Sequence, residues 1–305
     1  MAGSLDPSPV TLAQLGENAL VTRLVRGFPR GADVLVGPGD DCAVIGRPRD
    51  QTWTLLKTDC VIERVHFRPD EDPRRIGWKA LCRALSDIAA MGGKPAHALI
   101  TIAARRDEKA ARLDAIYAGL RRAARRFGVS LAGGETARSP GPLFINVALI
   151  GTVARTRCVL RSGGKPGDAL YVTGRLGGSL AGKHLDFTPR LAESRWLTAH
   201  FKPHAMMDLS DGLVADLPRL ADASRCGFIL QPEKIPRTRG CTPEQAMGDG
   251  EDYELLFSIA ARKCARLEAS WPTQFPRTRL TRIGELNSKF KIRNPRFHRG
   301  FDHFA

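Results

Sequence analysis

The fold is built around one run of residues, Gly37-Pro38-Gly39-Asp40-Asp41-Cys42-Ala43-Val44-Ile45, in which a glycine-proline turn presents two adjacent carboxylates directly before an apolar segment. Two like charges beside a strand are costly unless a cation neutralises them. The run contains no Lys or Arg, and carboxylate oxygens are ligands that suit Mg²⁺. A solvated turn would explain the run if it stood alone. It does not stand alone, because later segments also place acids among apolar residues.

Length and charge limit the possible classes of protein. The chain has 305 residues, which predicts about two domains, and its net charge of +15 favours polyanionic partners such as nucleic acid, a membrane surface or phosphorylated ligands. Seven scattered cysteines without a C-x-x-C pair indicate reduced thiols and a cytoplasmic location. We find no signal peptide and no apolar stretch of membrane-spanning length.

The order of predicted elements indicates an α/β (α+β) protein with a flexible tail at 1–10, an N-terminal domain at 11–155 and a C-terminal domain at 156–305. Thr11 and Gln14 have capping-box spacing, which predicts a helix start. Hydrophobic periodicity predicts further helices at 74–91 and 107–127 and strands at 34–36, 53–56, 98–102, 144–153 and 169–173.

Three acids of the first half stand out in this pattern. Asp59 follows Lys57 and Thr58 at the predicted end of a strand, Asp87 lies within an apolar helix, and Glu135 follows two glycines in a predicted turn. For Asp87 an ion pair with Arg83 on a solvated helix face is the alternative.

The second half repeats the pattern. Asp208 and Asp211 are three residues apart, which would put them on one side of a helical turn, although an N-cap role is the alternative. The run 249–254 holds four acids before an apolar strand. The glycine-rich loop at 174–182 matches no phosphate-binding spacing, and the basic, aromatic tail at 289–299 fits a solvated edge strand better than a nucleic-acid site.

A basic protein that concentrates its acids at such places is expected to hold several metal ions. The surface would attract a phosphate ligand and the metals would bind it. Phosphoryl transfer requires mainly alignment and neutralised charge, so the acids predict that class of reaction.

The motifs also occur in an order that resembles a known family: Gly39-Asp40-Asp41-Cys42-Ala43, Thr58-Asp59, His66-Phe67, Leu85-Ser86-Asp87-Ile88-Ala89-Ala90-Met91-Gly92, Gly133-Gly134-Glu135-Thr136, Arg161-Ser162-Gly163, Asp208-Leu209-Ser210-Asp211-Gly212-Leu213, Gly250-Glu251-Asp252-Tyr253-Glu254-Leu255 and Gly300-Phe301-Asp302-His303-Phe304. From about residue 11 to the C-terminus, this set resembles the thiamine-monophosphate kinases. They belong to the superfamily of aminoimidazole ribonucleotide synthetase and selenophosphate synthetase.

The resemblance implies ATP-dependent phosphorylation of thiamine monophosphate to thiamine diphosphate, with Asp208 and Asp211 as catalytic residues. It implies Mg²⁺ ligands at Asp41, Thr58, Asp59, Asp87, Glu135, Asp208 and Asp211. It implies ATP contacts at Gly134, Glu135, Arg161 and Ser210, and substrate contacts at His66, Glu251 and His298. It further implies a homodimer in which two N-terminal domains pair into a shared barrel, with ATP between the two halves of each chain. The mechanism we expect is direct in-line transfer, because the attacking phosphate oxygen is already ionised near neutral pH.

Three residues depart from the family pattern. Glu135 stands where Asp is usual, Lys57 stands where a small hydroxylated residue is usual, and His298 lies near the position of an aromatic residue that stacks on thiamine.

Two alternative functions remain at this point. One is another superfamily enzyme acting on a different phosphate or amidine substrate, and the other is a basic nucleic-acid-binding homologue without catalysis. The acid set argues against nucleic acid as a partner, and no membrane partner is expected.

Overall fold

A computed structural model describes residues 10–288 of the chain. Its first half contains a six-stranded sheet in the order β1-β2-β3-β6-β4-β5, antiparallel except for the parallel pair β4–β5. The strands are β1 (Val34–Val36), β2 (Ala43–Ile45), β3 (Thr52–Ile62), β4 (Lys94–Ala104), β5 (Ser130–Arg138) and β6 (Phe144–Ala154). The helices are α1 (Leu12–Leu15), α2 (Glu17–Leu24), α3 (Pro73–Ala90) and α4 (Ala110–Phe127). The predicted capping box at Thr11 is confirmed.

The second half forms a five-stranded antiparallel sheet in the order β8-β10-β7-β11-β9. Its strands are β7 (Asp168–Thr173), β8 (Ala205–Asp208), β9 (Gly227–Leu230), β10 (Leu255–Ala260) and β11 (Leu280–Asn287). Its helices are α5 (Leu191–His200), α6 (Leu213–Ala223), α7 (Pro243–Gly248) and α8 (Cys264–Gln274). Separate apolar clusters cover the two faces of this sheet, so its central strands are buried on both sides. The predicted α/β class is confirmed.

Helix α3 positions the parts that matter for function. It packs on β3, β6 and α4 in the first half, and it also contacts β8 and α5 in the second half. Fourteen of its residues are buried, since both halves of the chain cover it. The helix therefore carries side chains from the first half to the edge of the second sheet.

Three local predictions were wrong, and each error concerns an acid. Strand β3 runs to Ile62, so Asp59 lies inside a strand rather than at its end. Strand β5 includes Glu135, which therefore does not lie in a turn. Asp208 ends β8 and Asp211 lies in the turn before α6, so the two do not share a helical turn. Sheet pairing fixes the backbone at Asp59, Glu135 and Asp208, whereas the local sequence suggested a strand end, a turn and a helix.

The first sheet ends at Ala154 and the second begins at Asp168. We therefore propose a domain boundary near 155–156.

The face of the first sheet opposite α3 is open: Leu56, Leu99 and Ile150 are each 40–50% exposed on it.

Candidate active site

The two halves meet at three buried carboxylates. Asp41 comes from the turn before β2, Asp87 from the last turn of α3 and Asp208 from the end of β8. Each offers an oxygen, and these three oxygens lie within 4.8 Å of one another. Three of the predicted metal ligands thus converge, although they are separated widely in sequence.

Cations from other segments contact two of these acids. The Arg161 guanidinium donates to Asp41 Oδ1 at 2.5 Å, and the Lys57 ammonium donates to Asp87 Oδ1 at 2.8 Å. Neither cation belongs to the acidic motif that it neutralises. The absence of Lys and Arg within residues 37–45 therefore did not mean that the charge is unpaired.

The electrostatics of the cluster favour further positive charge. Burial and the charge of Asp41 raise the pKa of Asp208 to about 7, against a hydrogen bond from Ser86 that lowers it. Burial likewise raises the pKa of Asp87, although Lys57 opposes this effect. Burial together with the charge of Asp41 raises the pKa of Asp40 to about 7. These carboxylates are ionised at neutral pH only at a cost, which a bound cation would offset.

Whether Mg²⁺ fits can be judged from the donors. Three carboxylate oxygens converge, and hard divalent cations prefer oxygen ligands. The second oxygen of Asp41, Oδ2, is buried and has no hydrogen-bond partner among the described residues. A buried oxygen without a donor is costly, and a cation would satisfy it. The donor set therefore fits a divalent ion.

Two predicted metal ligands on β3 point in opposite directions, because side chains alternate along a strand. Asp59 faces α3, where the Nε atom of Arg83 lies 3.3 Å from its Oδ2. Thr58 faces the open side of the sheet and donates its hydroxyl to Asn146 Oδ1 at 2.9 Å. The hydroxyl of Thr58 is therefore not brought to the three-carboxylate cluster. The alternative pairing of Arg83 with Asp87 does not occur, since Arg83 pairs with Asp59.

Glu135 and Gly134 lie on the edge strand β5, which β4 and β6 separate from β3. At roughly 4.8 Å per strand, this places them about 14 Å from the line of β3. Glu135 is exposed, and its carboxylate accepts a hydrogen bond from the Thr136 amide. The structure therefore does not bring Glu135 to the three-carboxylate cluster of the same chain.

A cavity of about 140 Å³ is lined from both halves of the chain, in part by Arg83, one helical turn before Asp87, and by Ser210, two residues after Asp208. Its walls include four residues that the sequence singled out: His66, Ser210, Asp211 and Glu251. Asp211 forms an ion pair with Arg219, and the Ser210 carbonyl accepts from the Glu251 amide at 2.7 Å. His66 is buried and its Nδ1 accepts from the Ile62 amide, so the neutral ring carries its proton on Nε2.

A fully buried lysine holds the acid of this cavity in place. The ammonium of Lys79 lies 2.7 Å from Glu251 Oε1, and His184 Nδ1 lies 3.0 Å from Glu251 Oε2. Burial alone would raise the pKa of Glu251, but the His184 hydrogen bond and the charges of Lys79 and Arg83 lower it to about 2. Glu251 is thus ionised at neutral pH.

Sequence reasoning missed two cations of this region, Lys79 and Arg219, and it offered Asp87 rather than Asp59 as the partner of Arg83. Lys79 and Arg83 lie on α3 among apolar residues, and Arg219 lies on α6. The one signal available in the sequence was Lys79 between Trp78 and Ala80 in a helix with an apolar face; in the structure it is fully buried, which lysine almost never is unless paired. His298, predicted to contact substrate, lies outside the described residues.

With this geometry established, comparison with known proteins defines the class. Residues 39–153 match the family model described as AIR synthase related protein, N-terminal domain. That stretch contains Asp41 and Asp87, and the two-sheet architecture around it is the fold of this class.

Individual relatives match over most of the chain and identify a particular family within this class. The thiamine-monophosphate kinase of Rhodopirellula baltica is 38% identical over 271 residues, covering 83% of this chain and 84% of the relative. That of Escherichia coli K12 is 35% identical over 80% of this chain and 82% of the relative. A solved structure of AaThiL complexed with AMPPCP and TMP superposes with a TM-score of 0.81 at 28% identity, covering 96% of this chain and 99% of the other. The chain belongs to the thiamine-monophosphate kinase family.

No helix among residues 10–288 is long and apolar enough to cross a membrane.

Proposed function

We propose that the protein transfers the γ-phosphoryl group of ATP to thiamine monophosphate, giving thiamine diphosphate and ADP. Family membership supports this activity, and so does the complex of the AaThiL relative with AMPPCP and TMP. The observation that carries the proposal is the convergence of Asp41, Asp87 and Asp208 from both halves of the chain. Two mutually repelling phosphate groups require such a charge-compensating site.

In the reaction, a terminal phosphate oxygen of thiamine monophosphate forms a bond to the γ-phosphorus. The bond from that phosphorus to the β,γ-bridging oxygen breaks, and ADP leaves with the electron pair. The attacking oxygen is ionised near neutral pH, because the second pKa of a phosphate monoester is about 6. No residue of the chain therefore needs to act as a general base.

We propose Asp41, Asp87 and Asp208 as the principal Mg²⁺ ligands, with Asp59 and Asp211 as further acids of the site. Bound Mg²⁺ would neutralise phosphate charge and orient the reacting groups. The chain's own cations neutralise part of the carboxylate charge, since Arg161 forms an ion pair with Asp41. Arg161 and Ser210 are proposed to contact ATP, while Asp208 and Asp211 are the proposed catalytic carboxylates.

We propose that the cavity lined by His66 and Glu251 receives thiamine monophosphate. The negative charge of Glu251 suits the cationic thiazolium ring, and His66 lines the same cavity. For Thr58, Gly134 and Glu135 we keep the ligand roles that the family resemblance implies, as proposals that concern a more exposed part of the sheet.

The open face of the first sheet supports the proposed homodimer. Leu56, Leu99 and Ile150 line a shallow apolar groove of about 560 Å³ there. Exposed apolar surface of this kind marks an interaction site, and a second copy of the sheet is its proposed partner in a shared barrel.

We also propose a cytoplasmic location. All seven cysteines are free thiols, which supports this location.

The test is an assay with ATP, Mg²⁺ and thiamine monophosphate that measures ADP and thiamine diphosphate in parallel. We expect equal amounts of both products and no turnover without Mg²⁺. ADP formed without thiamine diphosphate, or faster turnover with another phosphate or amidine acceptor, would contradict the proposed substrate. Protein labelled by γ-labelled ATP in the absence of acceptor would contradict direct transfer.

A further inference from the structure

Lys57 is a cation whose ammonium contacts a carboxylate of the three-acid cluster. Lys57 lies on β3 among acids, facing α3 on the same side of the strand as Asp59. Its ammonium donates to Asp87 Oδ1 at 2.8 Å, and its side chain is 24% exposed. The end of a long flexible side chain has thus been placed against a buried carboxylate of the proposed metal site.

The charge of the cluster shows what this lysine contributes. Asp41, Asp87 and Asp208 together carry three negative charges when ionised, and Arg161 and Lys57 are the cations that touch them. These two cations leave about one uncompensated negative charge. Three acids with Arg161 alone would leave about two, which is the charge that a further divalent ion balances.

One oxygen of the cluster remains without a hydrogen-bond partner among the described residues. The buried Oδ2 of Asp41 has no hydrogen-bond partner among residues 10–288, whereas Asp87 Oδ1 is already bonded to Lys57. The unsatisfied oxygen of the cluster therefore belongs to Asp41, whereas on Asp87 the ammonium already occupies one oxygen.

We propose that Lys57 is a built-in cation of the active site, taking the place of one divalent ion on Asp87. The inference rests on the proposed function only in assuming that the cluster binds divalent ions with nucleotide. Lys57 is a neutralising and positioning residue for Asp87, and this chain consequently binds fewer divalent ions than its acids alone would hold.

The experiment counts ions without any turnover. Mn²⁺, which shares the preference of Mg²⁺ for octahedral oxygen ligands, is titrated against protein and AMPPCP, and free Mn²⁺ is measured by electron paramagnetic resonance. Lys57→Thr removes the charge and supplies a hydroxyl oxygen. We expect this variant to bind about one additional Mn²⁺ per chain. Lys57→Arg keeps the charge and should bind the wild-type number, as should the control Lys94→Thr at an exposed position of β4.

Stability gives a second measurement. In EDTA the Tm of Lys57→Thr should fall below that of wild type, and saturating Mg²⁺ should restore most of the loss, because an ion then replaces the ammonium. An equal Mn²⁺ count in wild type and Lys57→Thr overturns the inference, as does a Lys57→Thr chain that folds neither in EDTA nor in Mg²⁺. These outcomes are independent of the substrate assay, in which failure of the wild type would instead reject the proposed function.

Discussion

One carboxylate oxygen of Asp41 and one of Asp208 lie within 4.8 Å of each other, although Asp41 precedes β2 of the first sheet and Asp208 ends β8 of the second. Helix α3 makes this approach possible, because it packs on the first sheet and contacts β8 of the second. A shift of one half of the chain relative to the other would separate the two acids. The site is therefore assembled by the packing between the halves.

Asp208→Asn should abolish most of the response to Mg²⁺. The substitution removes one charge and one anionic ligand from the cluster, and the loss of metal-dependent stabilisation of the transition state should lower kcat/KM by at least ~100-fold. In metal-free protein the same change should not lower Tm, because it relieves repulsion between buried carboxylates. Differential scanning calorimetry with EDTA and with Mg²⁺ measures both effects.

Asp114→Asn, at an exposed position of α4, is the matched control and should respond to Mg²⁺ as wild type does. A Mg²⁺-induced rise in Tm that is the same in Asp208→Asn and wild type would show that Asp208 is not a ligand.

The cluster also shows what the sequence could predict. Asp41, Asp87 and Asp208 were identified from acids embedded in apolar runs, since such acids need a cation wherever the chain places them. Their pairing with Arg161 and Lys57 could not be predicted, because the pairs Arg161–Asp41 and Lys57–Asp87 join distant segments. Local sequence carries no information about such contacts.

The positions of Thr58 and Asp59 were mistaken for a related reason. The polar run that begins at Lys57 looks like the end of a strand, but pairing with β6 extends β3 to Ile62. With the full strand known, alternation alone places Thr58 and Asp59 on opposite faces. Only the sheet partner, distant in sequence, could supply that information.

Glu251 should make the protein more sensitive to acid. Its pKa in the folded chain is lowered to about 2 from an ordinary value of 4.5, so the unfolded chain binds more protons between these values. The stabilisation from Glu251 is therefore complete above about pH 4.5 and is lost as the pH falls towards 2. Glu251→Gln should cost stability at pH 7, and the difference from wild type should shrink across this acidic window.

Urea unfolding at a series of pH values measures this difference. Glu285→Gln, at a half-buried position of β11, serves as the control. A wild-type minus Glu251→Gln difference that stays constant from neutral pH to pH 2 would rule out the ion pair of Glu251 with Lys79 as its source.

Leu99→Glu should weaken the proposed dimer. Leu99 is 50% exposed on the open face of the first sheet, and a carboxylate there would be buried against the partner without a counter-charge. We expect the dimer dissociation constant to rise at least ~10-fold in analytical ultracentrifugation. Ile229→Glu provides the control, because Ile229 is also 50% exposed but lies on the second sheet. A monomeric wild type, or equal effects of the two substitutions, would contradict an interface on this face.

Gly134→Ala should destabilise the first sheet. A Cβ atom at Gly134 would lie 1.8 Å from the carbonyl oxygen of Ile100 on β4, and backbone cannot move aside as a side chain can. The strands must separate locally, which should cost about 1–3 kcal/mol of unfolding free energy. Gly141→Ala is the matched control, because its Cβ would meet only the Ser139 hydroxyl at an ordinary 3.7 Å. Chemical denaturation should show a lower midpoint for Gly134→Ala alone. If both variants unfold with the wild type, β5 does not approach β4 this closely, and the absence of a side chain at Gly134 must be explained by ligand contact instead.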